Sequence, residues 1–197
     1  NYTYFMREPK HFDFLREKIL PNIKPEWGRI SYQIWCAGCS SGEECYTLAM
    51  LLQDYKDQGG WLPSFSIVGT DISEQALAVA QKGRYPVREL ENIPALWQQK
   101  YLSMDEAGTS FDIGRAIREK VRFQRMNLLK PSVGLGQYDL VLCRNVMIYF
   151  NEESRKKLIE KLYRALKPGG YLFVGHTELL PRNHELFEYV CPAVYRK

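Results

Sequence analysis

The chain has 197 residues, of which 45% are hydrophobic, enough for one compact core and a small appended subdomain. The net charge of +4 is too small to indicate a nucleic-acid-binding protein, and the lack of any run of 18 apolar residues argues against a membrane span. Five cysteines, an odd number, argue against a complete disulfide framework and favour a reducing compartment.

Helix and strand patterns alternate along the first eighty or so residues. An extended stretch over residues 1–10 leads into a helix through residue 20 with one apolar face. The pattern then predicts a strand at 31–36, a helix at 43–55, a strand at 65–70 and a helix at 73–80. Ser73 is a suitable N-cap for that last helix, and Gly83 marks its end.

The alternation of helix and strand patterns weakens between residues 84 and 124 and then resumes. We interpret the weak stretch as a small inserted β-rich subdomain within a single domain that spans residues 1–197. Beyond it the pattern predicts a strand at 138–143, a helix at 152–166, a strand at 171–174 and a terminal antiparallel hairpin at 187–190 and 193–196. The alternation predicts an α/β fold with a mainly parallel sheet.

The loop after the first predicted strand carries the strongest functional signal. It contains two glycines and closes with Glu43 and Glu44, and about thirty residues later a second strand ends at Asp71. An acid at that strand end can bind a ribose diol. The two glutamates would repel a pyrophosphate, so the loop suits a cationic ligand such as S-adenosylmethionine. The alternative is that both glutamates only cap a helix, which first-turn carboxylates stabilise by about 0.3–1 kcal/mol.

Two other clusters allow further interpretations. Cys36 and Cys39 follow a tryptophan as in a thioredoxin-type redox motif, although the glycine loop with two acids behind them disfavours it; no second Cys or His pair follows at zinc-ligand spacing. Five basic residues within eleven positions form either a solvated face or a docking surface for an acidic partner: Arg115, Arg118, Lys120, Arg122 and Arg125.

Six motifs in order carry a family resemblance. They are Phe-Met-Arg-Glu (5–8), Ser-Ser-Gly-Glu-Glu (40–44), Gly-Thr-Asp-Ile (69–72), Asn-Leu-Leu (127–129), Cys-Arg-Asn-Val-Met-Ile-Tyr-Phe (143–150) and Leu-Lys-Pro-Gly-Gly (166–170). Over its whole length the chain resembles the C-terminal catalytic domain of CheR, the chemotaxis receptor glutamate methyltransferase. The resemblance implies a Rossmann-like methyltransferase fold: a mainly parallel seven-stranded sheet with a terminal antiparallel hairpin and a small inserted β-subdomain. The family's N-terminal helical domain is expected to be absent from this chain.

The resemblance also implies the site residues. It places cofactor contacts at Asn1, Thr3, Arg7, Glu44, Asp71, Asn127, Leu128, Arg144 and Asn145. Arg7 and Tyr149 are implied to be catalytic, with Arg7 orienting the acceptor carboxylate and Tyr149 facing the transferred methyl group. No metal is expected.

Each of four assignments has a structural alternative. Asp71 could serve as a helix N-cap, Tyr149 as a core aromatic, Arg7 as a surface partner of Glu8, and Asn127 as a turn former. The histidines receive no catalytic role. Glu178, two residues beyond His176, is expected to bind a backbone N–H or nothing.

The implied function is S-adenosylmethionine-dependent methylation of glutamate carboxylates on chemoreceptor cytoplasmic helices, yielding S-adenosylhomocysteine. Such a carboxylate is ionised at pH 7, so the reaction needs positioning rather than a strong base. We expect a cytoplasmic monomer with no nucleic-acid partner and no membrane insertion. The alternatives are a methyltransferase acting on another acceptor, because a fold does not fix an acceptor, and a non-catalytic module that binds cofactor or receptor.

Overall fold

Ten strands form two separate sheets in the computed structural model, which describes residues 3–25, 31–130 and 136–197. The strands are β1 (Ser31–Ala37), β2 (Ser64–Asp71), β3 (Arg84–Pro86), β4 (Leu102–Met104), β5 (Ser110–Ile113), β6 (Val121–Arg125), β7 (Tyr138–Cys143), β8 (Leu166–Val174), β9 (Glu188–Cys191) and β10 (Val194–Arg196).

Six α-helices accompany these strands within the described residues. They are α1 (Pro9–Phe14), α2 (Glu43–Asp57), α3 (Glu74–Lys82), α4 (Ala95–Tyr101), α5 (Arg115–Arg118) and α6 (Glu152–Ala165). A π-helical turn (Leu15–Ile19) and a 3₁₀ turn (Leu20–Asn22) extend α1, and further 3₁₀ helices span Val87–Asn92 and Met147–Tyr149. Among the described residues, no helix is both long enough and apolar enough to cross a membrane.

The larger sheet has the strand order β6-β2-β1-β7-β8-β10-β9. The five strands from β6 to β8 are parallel, and β10 and β9 add an antiparallel hairpin at the other edge. The chain runs outward from β1 through β2 to β6 and then returns to β7 on the other side of β1. The order therefore reverses between β1 and β7, and in open α/β sheets ligands bind beyond the carboxyl ends of the strands at such a point.

Alternating side chains of the central strands divide between two hydrophobic cores. Ile34 of β1 and Leu140 of β7 join the core that packs against α1 and α2. Trp35 and Val141, their immediate neighbours, join the opposite core against α6. This period of two, with β7 buried at every position, is what a strand covered by helices on both faces requires.

The smaller sheet is antiparallel, in the order β3-β5-β4. Its aromatic side chains pack on the large sheet's side: Tyr85 meets Phe5 edge-on with ring centroids 5.0 Å apart, and the Tyr85 hydroxyl donates to the Ser41 carbonyl at 2.7 Å. The insertion thus contacts the β1–α2 loop directly.

The predicted fold class is confirmed, including the terminal hairpin and the small inserted sheet. The Ser73 hydroxyl caps α3 by accepting from the Ala76 N–H, and Gly83 ends the helix in a left-handed conformation. One difference concerns β6, which lies inside the range assigned to the insertion but pairs with β2 in the large sheet. Only Val121 of this edge strand is fully buried, so its apolar signal in the sequence is weak.

Candidate functional site

A cavity of about 400 Å³ opens where β1, β2, β6 and β7 end, at the reversal of the strand order. Its lining includes all of the predicted site residues that the structure describes: Thr3, Arg7, Glu44, Asp71, Asn127, Leu128, Arg144, Asn145 and Tyr149. Asn1, the remaining predicted contact, lies outside the described residues. Residues from the start of the sequence thus meet residues from its middle, as far as Tyr149, at one edge of the sheet.

The β1–α2 loop approaches the β7 side so closely that a side chain at Gly38 would not fit. Gly38 has φ +82°, and a Cβ placed there would lie 2.4 Å from Cγ2 of Val146. The N–H groups of Gly38 and Cys39 both donate to the Thr70 carbonyl, at 2.8 and 2.9 Å. These bonds fasten the loop to the end of β2 beside Asp71.

Asp71 is held rigidly by two backbone N–H groups. Its Oδ2 accepts from Ser40 at 2.8 Å, and its Oδ1 accepts from Ser73 at 2.9 Å. A carboxylate has about four lone-pair directions, so two oxygens fixed in this way still have acceptor capacity for a diol. Ser73, not Asp71, is the N-cap of α3, and Asp71 is therefore more than a capping residue.

Glu44 faces the cavity from the first turn of α2 and forms a buried ion pair. Its Oε2 lies 2.8 Å from Nε of Arg144, off the N–H axis, so the contact is an ion pair rather than a hydrogen bond. Burial raises the pKa of Glu44, while the Arg144 guanidinium acts in the opposite direction. Glu43, one position earlier, does not line the cavity and instead accepts from the Ser41 hydroxyl at 2.8 Å.

Arg144 connects the N-terminal part of the chain to the end of β7. Its Nη2 donates to the Arg7 carbonyl at 2.6 Å, and its Nη1 lies 3.1 Å from Nδ1 of His11. The guanidinium also lies 5.3 Å from the Phe12 ring centroid. Arg144 lines the cavity as predicted, but its polar atoms are largely engaged by the protein itself, which gives it a positioning role.

Arg7 and Thr3 line the cavity from the segment at residues 3–8, which we call the arm. The arm is anchored by Phe5, which is fully buried, and by the Met6 N–H, which donates to the Thr47 hydroxyl at 3.2 Å. Arg7 itself is half-buried and lies 5.9 Å from the Tyr4 ring centroid. The arm therefore presents the Arg7 side chain at the cavity from a fixed backbone.

Asn127 and Leu128 follow β6 and form one wall. Asn127 Oδ1 accepts from the Leu129 N–H at 2.9 Å, so this residue does form a turn, as the alternative interpretation held, while still lining the cavity. Leu128 is buried, and its carbonyl accepts from Lys161 of α6 at 2.9 Å.

Asn145 and Tyr149 follow β7 on the opposite wall. Asn145 has φ +58°, and its buried Oδ1 has no hydrogen-bond partner among the described residues. Tyr149 is 74% exposed in the 3₁₀ turn at Met147–Tyr149, so it is not the core aromatic that the alternative proposed. A buried polar atom without a partner at a cavity wall is a natural contact for a bound ligand.

Backbone strain is concentrated around the cavity. Four of the five non-glycine residues with positive φ in the described ranges either line the cavity or flank Arg7: Met6, Glu8, Ser40 and Asn145. Each such residue costs on the order of 1–3 kcal/mol and persists only where its surroundings hold it, a pattern typical of functional sites.

The redox interpretation of Cys36 and Cys39 is not supported. Both thiols are free and buried, and burial raises the pKa of Cys36 to about 12. A redox-active pair needs a lowered thiol pKa, because the thiolate is the reactive form. Cys39 instead serves as part of the cavity wall.

Donor atoms of Glu8, His11 and His176 lie within 4.8 Å of one another, but their arrangement does not suit a metal ion. A guanidinium only donates, so His11 Nδ1 accepts from Arg144 and the neutral ring carries its proton on Nε2. The two imidazole rings also stack at 11°, so their in-plane lone pairs do not converge. Burial, Arg144 and His176 together lower the pKa of His11 to about 3, which keeps it neutral at pH 7.

Several lining residues were not predicted from the sequence. They include Ser40, Ile72, Met126, Leu129 and Ile148. Four of them lie inside the quoted motifs, and Met126 directly precedes one, so membership of a motif at a strand end is the available signal. Three of them, Ile72, Leu129 and Ile148, are large exposed apolar side chains at the cavity.

Comparisons with known proteins give matches over nearly the whole chain. A family model described as "CheR methyltransferase, SAM binding domain" matches residues 1–195. The chain is 40% identical over 201 residues to the chemotaxis protein methyltransferase of Borreliella burgdorferi, covering 100% of this chain and 70% of that protein. It is 33% identical over 202 residues to chemotaxis protein methyltransferase 1 of Pseudomonas aeruginosa, covering 100% of this chain and 73% of that protein.

Solved structures resemble the chain in fold. PKMT2 from Rickettsia typhi has a TM-score of 0.52 at 16% sequence identity, covering 88% of this chain and 26% of that one. The same protein in complex with AdoHcy has a TM-score of 0.51 at 16% identity, covering 88% of this chain and 26% of that one. At such identities the likeness concerns the fold alone.

Proposed function

This chain belongs to the CheR methyltransferase family, and on that premise we propose that it methylates glutamate carboxylates of chemoreceptors, with S-adenosylmethionine as methyl donor. The observation that carries the proposal is the single cavity that joins a strand-end carboxylate, Asp71, to the pair Arg7 and Tyr149. One side can bind a nucleoside, and the other can receive an acidic side chain.

The cavity residues fit the proposed donor. Asp71 is fixed with acceptor capacity remaining for the ribose hydroxyls, and Asn127 and Leu128 supply a wall for the adenine. Glu44 places negative charge where a cationic amino-acid end can lie, and Asn145 Oδ1 is an acceptor in need of a donor. When bound, S-adenosylmethionine would supply a methyl group bonded to a positively charged sulfur. A carboxylate oxygen would bond to that methyl carbon in line with the breaking carbon–sulfur bond, and the sulfur would leave in S-adenosylhomocysteine.

The chain's own contribution to the reaction is positioning. A glutamate carboxylate with a pKa near 4.3 is ionised at pH 7, so no general base is required. We assign Arg7 to hold one oxygen of that carboxylate, because a bidentate clamp would stabilise the attacking anion and reduce its nucleophilicity. We assign Tyr149, which is exposed at the cavity, to shape the path of the methyl group. Alignment of reacting groups can contribute about 7–11 kcal/mol to a rate.

The proposed partners are receptor cytoplasmic helices that present glutamates, met by a monomeric enzyme in the cytoplasm. Five free thiols, three of them in or next to the β1–α2 loop, agree with a reducing compartment. The exposed apolar residues at the cavity mouth, Ile148 and Tyr149, offer contact area beside the acceptor carboxylate.

Transfer of a labelled methyl group from S-adenosylmethionine to receptor cytoplasmic fragments tests the proposal. We expect label on fragments with glutamates at the acceptor positions, released as methanol by mild alkali, and none on matched Glu→Gln fragments. Alkali-stable label would indicate a different acceptor group. Binding of S-adenosylhomocysteine without any transfer would indicate a non-catalytic module.

A further inference from the structure

Glu178 lies in the loop after β8 and is almost completely buried, with 1% of its surface exposed. Its carboxylate accepts three backbone N–H groups. Oε2 accepts from Asn145 at 2.6 Å and from Gly175 at 3.1 Å, and Oε1 accepts from Ile148 at 3.0 Å. Such bonds to a charged acceptor are shorter and stronger than those between neutral groups.

The neighbouring backbone is adapted to this carboxylate. A Cβ placed on Gly175 would lie 2.7 Å from Glu178 Oε2 and 2.9 Å from the Asn145 N–H nitrogen. Glycine is therefore required for the close approach of the two loops. Arg155 of α6 donates to the Glu178 carbonyl at 3.1 Å, which fixes the Glu178 backbone against a regular helix.

Two features of the cavity wall depend on these bonds. The bond to the Asn145 N–H holds that residue at φ +58°, the conformation in which its unpartnered Oδ1 lies buried at the cavity. The bond to the Ile148 N–H holds the turn that carries Tyr149. Met147 anchors the start of this turn in the core, whereas Ile148 and Tyr149 are 53% and 74% exposed, so backbone hydrogen bonds, the one to Glu178 among them, hold the exposed part of the turn.

We propose that Glu178 is a positioning residue for methyl transfer: it fixes Asn145 at the donor's amino-acid end and the turn that carries Tyr149 beside the transferred methyl group. This inference rests on the proposed function. It goes beyond it by assigning a role in the reaction to a carboxylate that does not line the cavity.

The test compares Glu178→Gln with Glu185→Gln in the full chain. Glutamine keeps the size of the side chain, but its single carbonyl oxygen replaces two carboxylate oxygens, and its amide N–H₂ is turned toward a backbone N–H. Glu185 is an exposed glutamate of the same loop and controls for the loss of one negative charge. Thermal unfolding establishes that each variant is folded.

The readouts separate the two ends of the cavity. We expect Glu178→Gln to lower kcat at least tenfold and to lower the affinity for S-adenosylhomocysteine at least fivefold. The affinity for 5′-methylthioadenosine, which lacks the amino-acid end, is expected to stay within twofold. Hydrogen exchange is expected to quicken at least tenfold in peptides that cover residues 144–150. Glu185→Gln should match the wild type throughout. A general structural defect would instead weaken both ligands equally.

Gly175→Ala approaches the same contact from the other side. Its methyl group displaces the Glu178 carboxylate and is expected to reproduce the exchange and affinity changes of Glu178→Gln. Unchanged exchange and S-adenosylhomocysteine affinity in Glu178→Gln would overturn the inference. If the wild type methylates no receptor fragment, the proposed function fails, while the exchange and ligand comparisons still decide the role of Glu178.

Discussion

Arg7 and Asp71 line one cavity, and their different surroundings predict different mutant phenotypes. Asp71 has both oxygens fixed by backbone N–H groups at 2.8 and 2.9 Å. Arg7 is half-buried, and its backbone carbonyl accepts from Arg144. We therefore expect Asp71 to govern the affinity for the ligand and Arg7 to govern turnover.

Asp71→Ala is expected to lower the affinity for S-adenosylhomocysteine at least 30-fold, a loss of about 2 kcal/mol in binding free energy. The substitution removes the diol acceptor and also releases the Ser40 N–H at the end of the β1–α2 loop. Isothermal titration calorimetry measures the effect. Glu74→Ala is the matched control, since Glu74 is an exposed acid three residues away whose partner, Arg125, lies on the surface. Wild-type affinity in Asp71→Ala would remove Asp71 from the binding site.

Arg7→Ala is expected to lower kcat at least 100-fold while changing the S-adenosylhomocysteine affinity less than threefold. The reason is that the Arg7 side chain is assigned to the acceptor carboxylate, whereas its backbone carbonyl remains bound to Arg144 after the substitution. Steady-state kinetics and calorimetry give the two values. Arg115→Ala, at an exposed ion pair with Glu119, serves as the control. An unchanged kcat would contradict the role.

At the scale of elements, the β1–α2 loop and the segment after β7 fit together through the contact between Gly38 and Val146. Gly38→Ala is expected to destabilise the fold by about 1–3 kcal/mol and to weaken ligand binding, because the new methyl group would lie 2.4 Å from Cγ2 of Val146. Chemical denaturation and calorimetry report the two effects.

Gly59→Ala separates backbone strain from collision. Gly59 has φ +87°, similar to Gly38, but nothing lies within 4 Å of a Cβ placed there. Gly59→Ala should therefore lower the free energy of unfolding only by the cost of the left-handed backbone conformation. Combining Gly38→Ala with Val146→Ala should recover the part due to the collision. If Gly38→Ala and Gly59→Ala cost the same, the close approach of the two loops is not what selects glycine.

The elements that the sequence predicted well are those with a local signature. β7 is a continuous apolar strand, and α3 has a serine cap and a terminal glycine, so short windows were sufficient. The contacts that organise the site are between distant residues: Arg144 meets the Arg7 carbonyl across 137 positions, and Glu178 meets Asn145 across 33. No local pattern distinguishes such a buried charge from a surface one, so the sequence alone does not name the three backbone N–H groups that Glu178 binds.

At the scale of the whole molecule, the arm, α1, β7 and the loop after β8 meet around His11. This imidazole is 1% exposed, lies beside Arg144 at 3.1 Å, and stacks with His176 on one side and Phe173 on the other. Protonating it would place a second positive charge next to a buried guanidinium. We therefore expect this histidine, which has no assigned role in the reaction, to contribute to the acid stability of the fold.

The expected pH dependence follows from the depressed pKa of His11, about 3 in the folded chain against an ordinary value near 6.5. Between these values the unfolded chain binds a proton that the folded chain does not, so stability is fully present above pH 6.5 and falls as the pH drops toward 3. The contribution is up to about 1.4 kcal/mol per pH unit. His11→Asn keeps an acceptor for Arg144, but asparagine does not titrate. The substitution should therefore reduce the slope of the unfolding free energy against pH between pH 6.5 and 4.5. His184→Asn, at a partly exposed histidine, should keep the wild-type slope, and equal slopes in all three proteins would show that His11 does not govern acid stability.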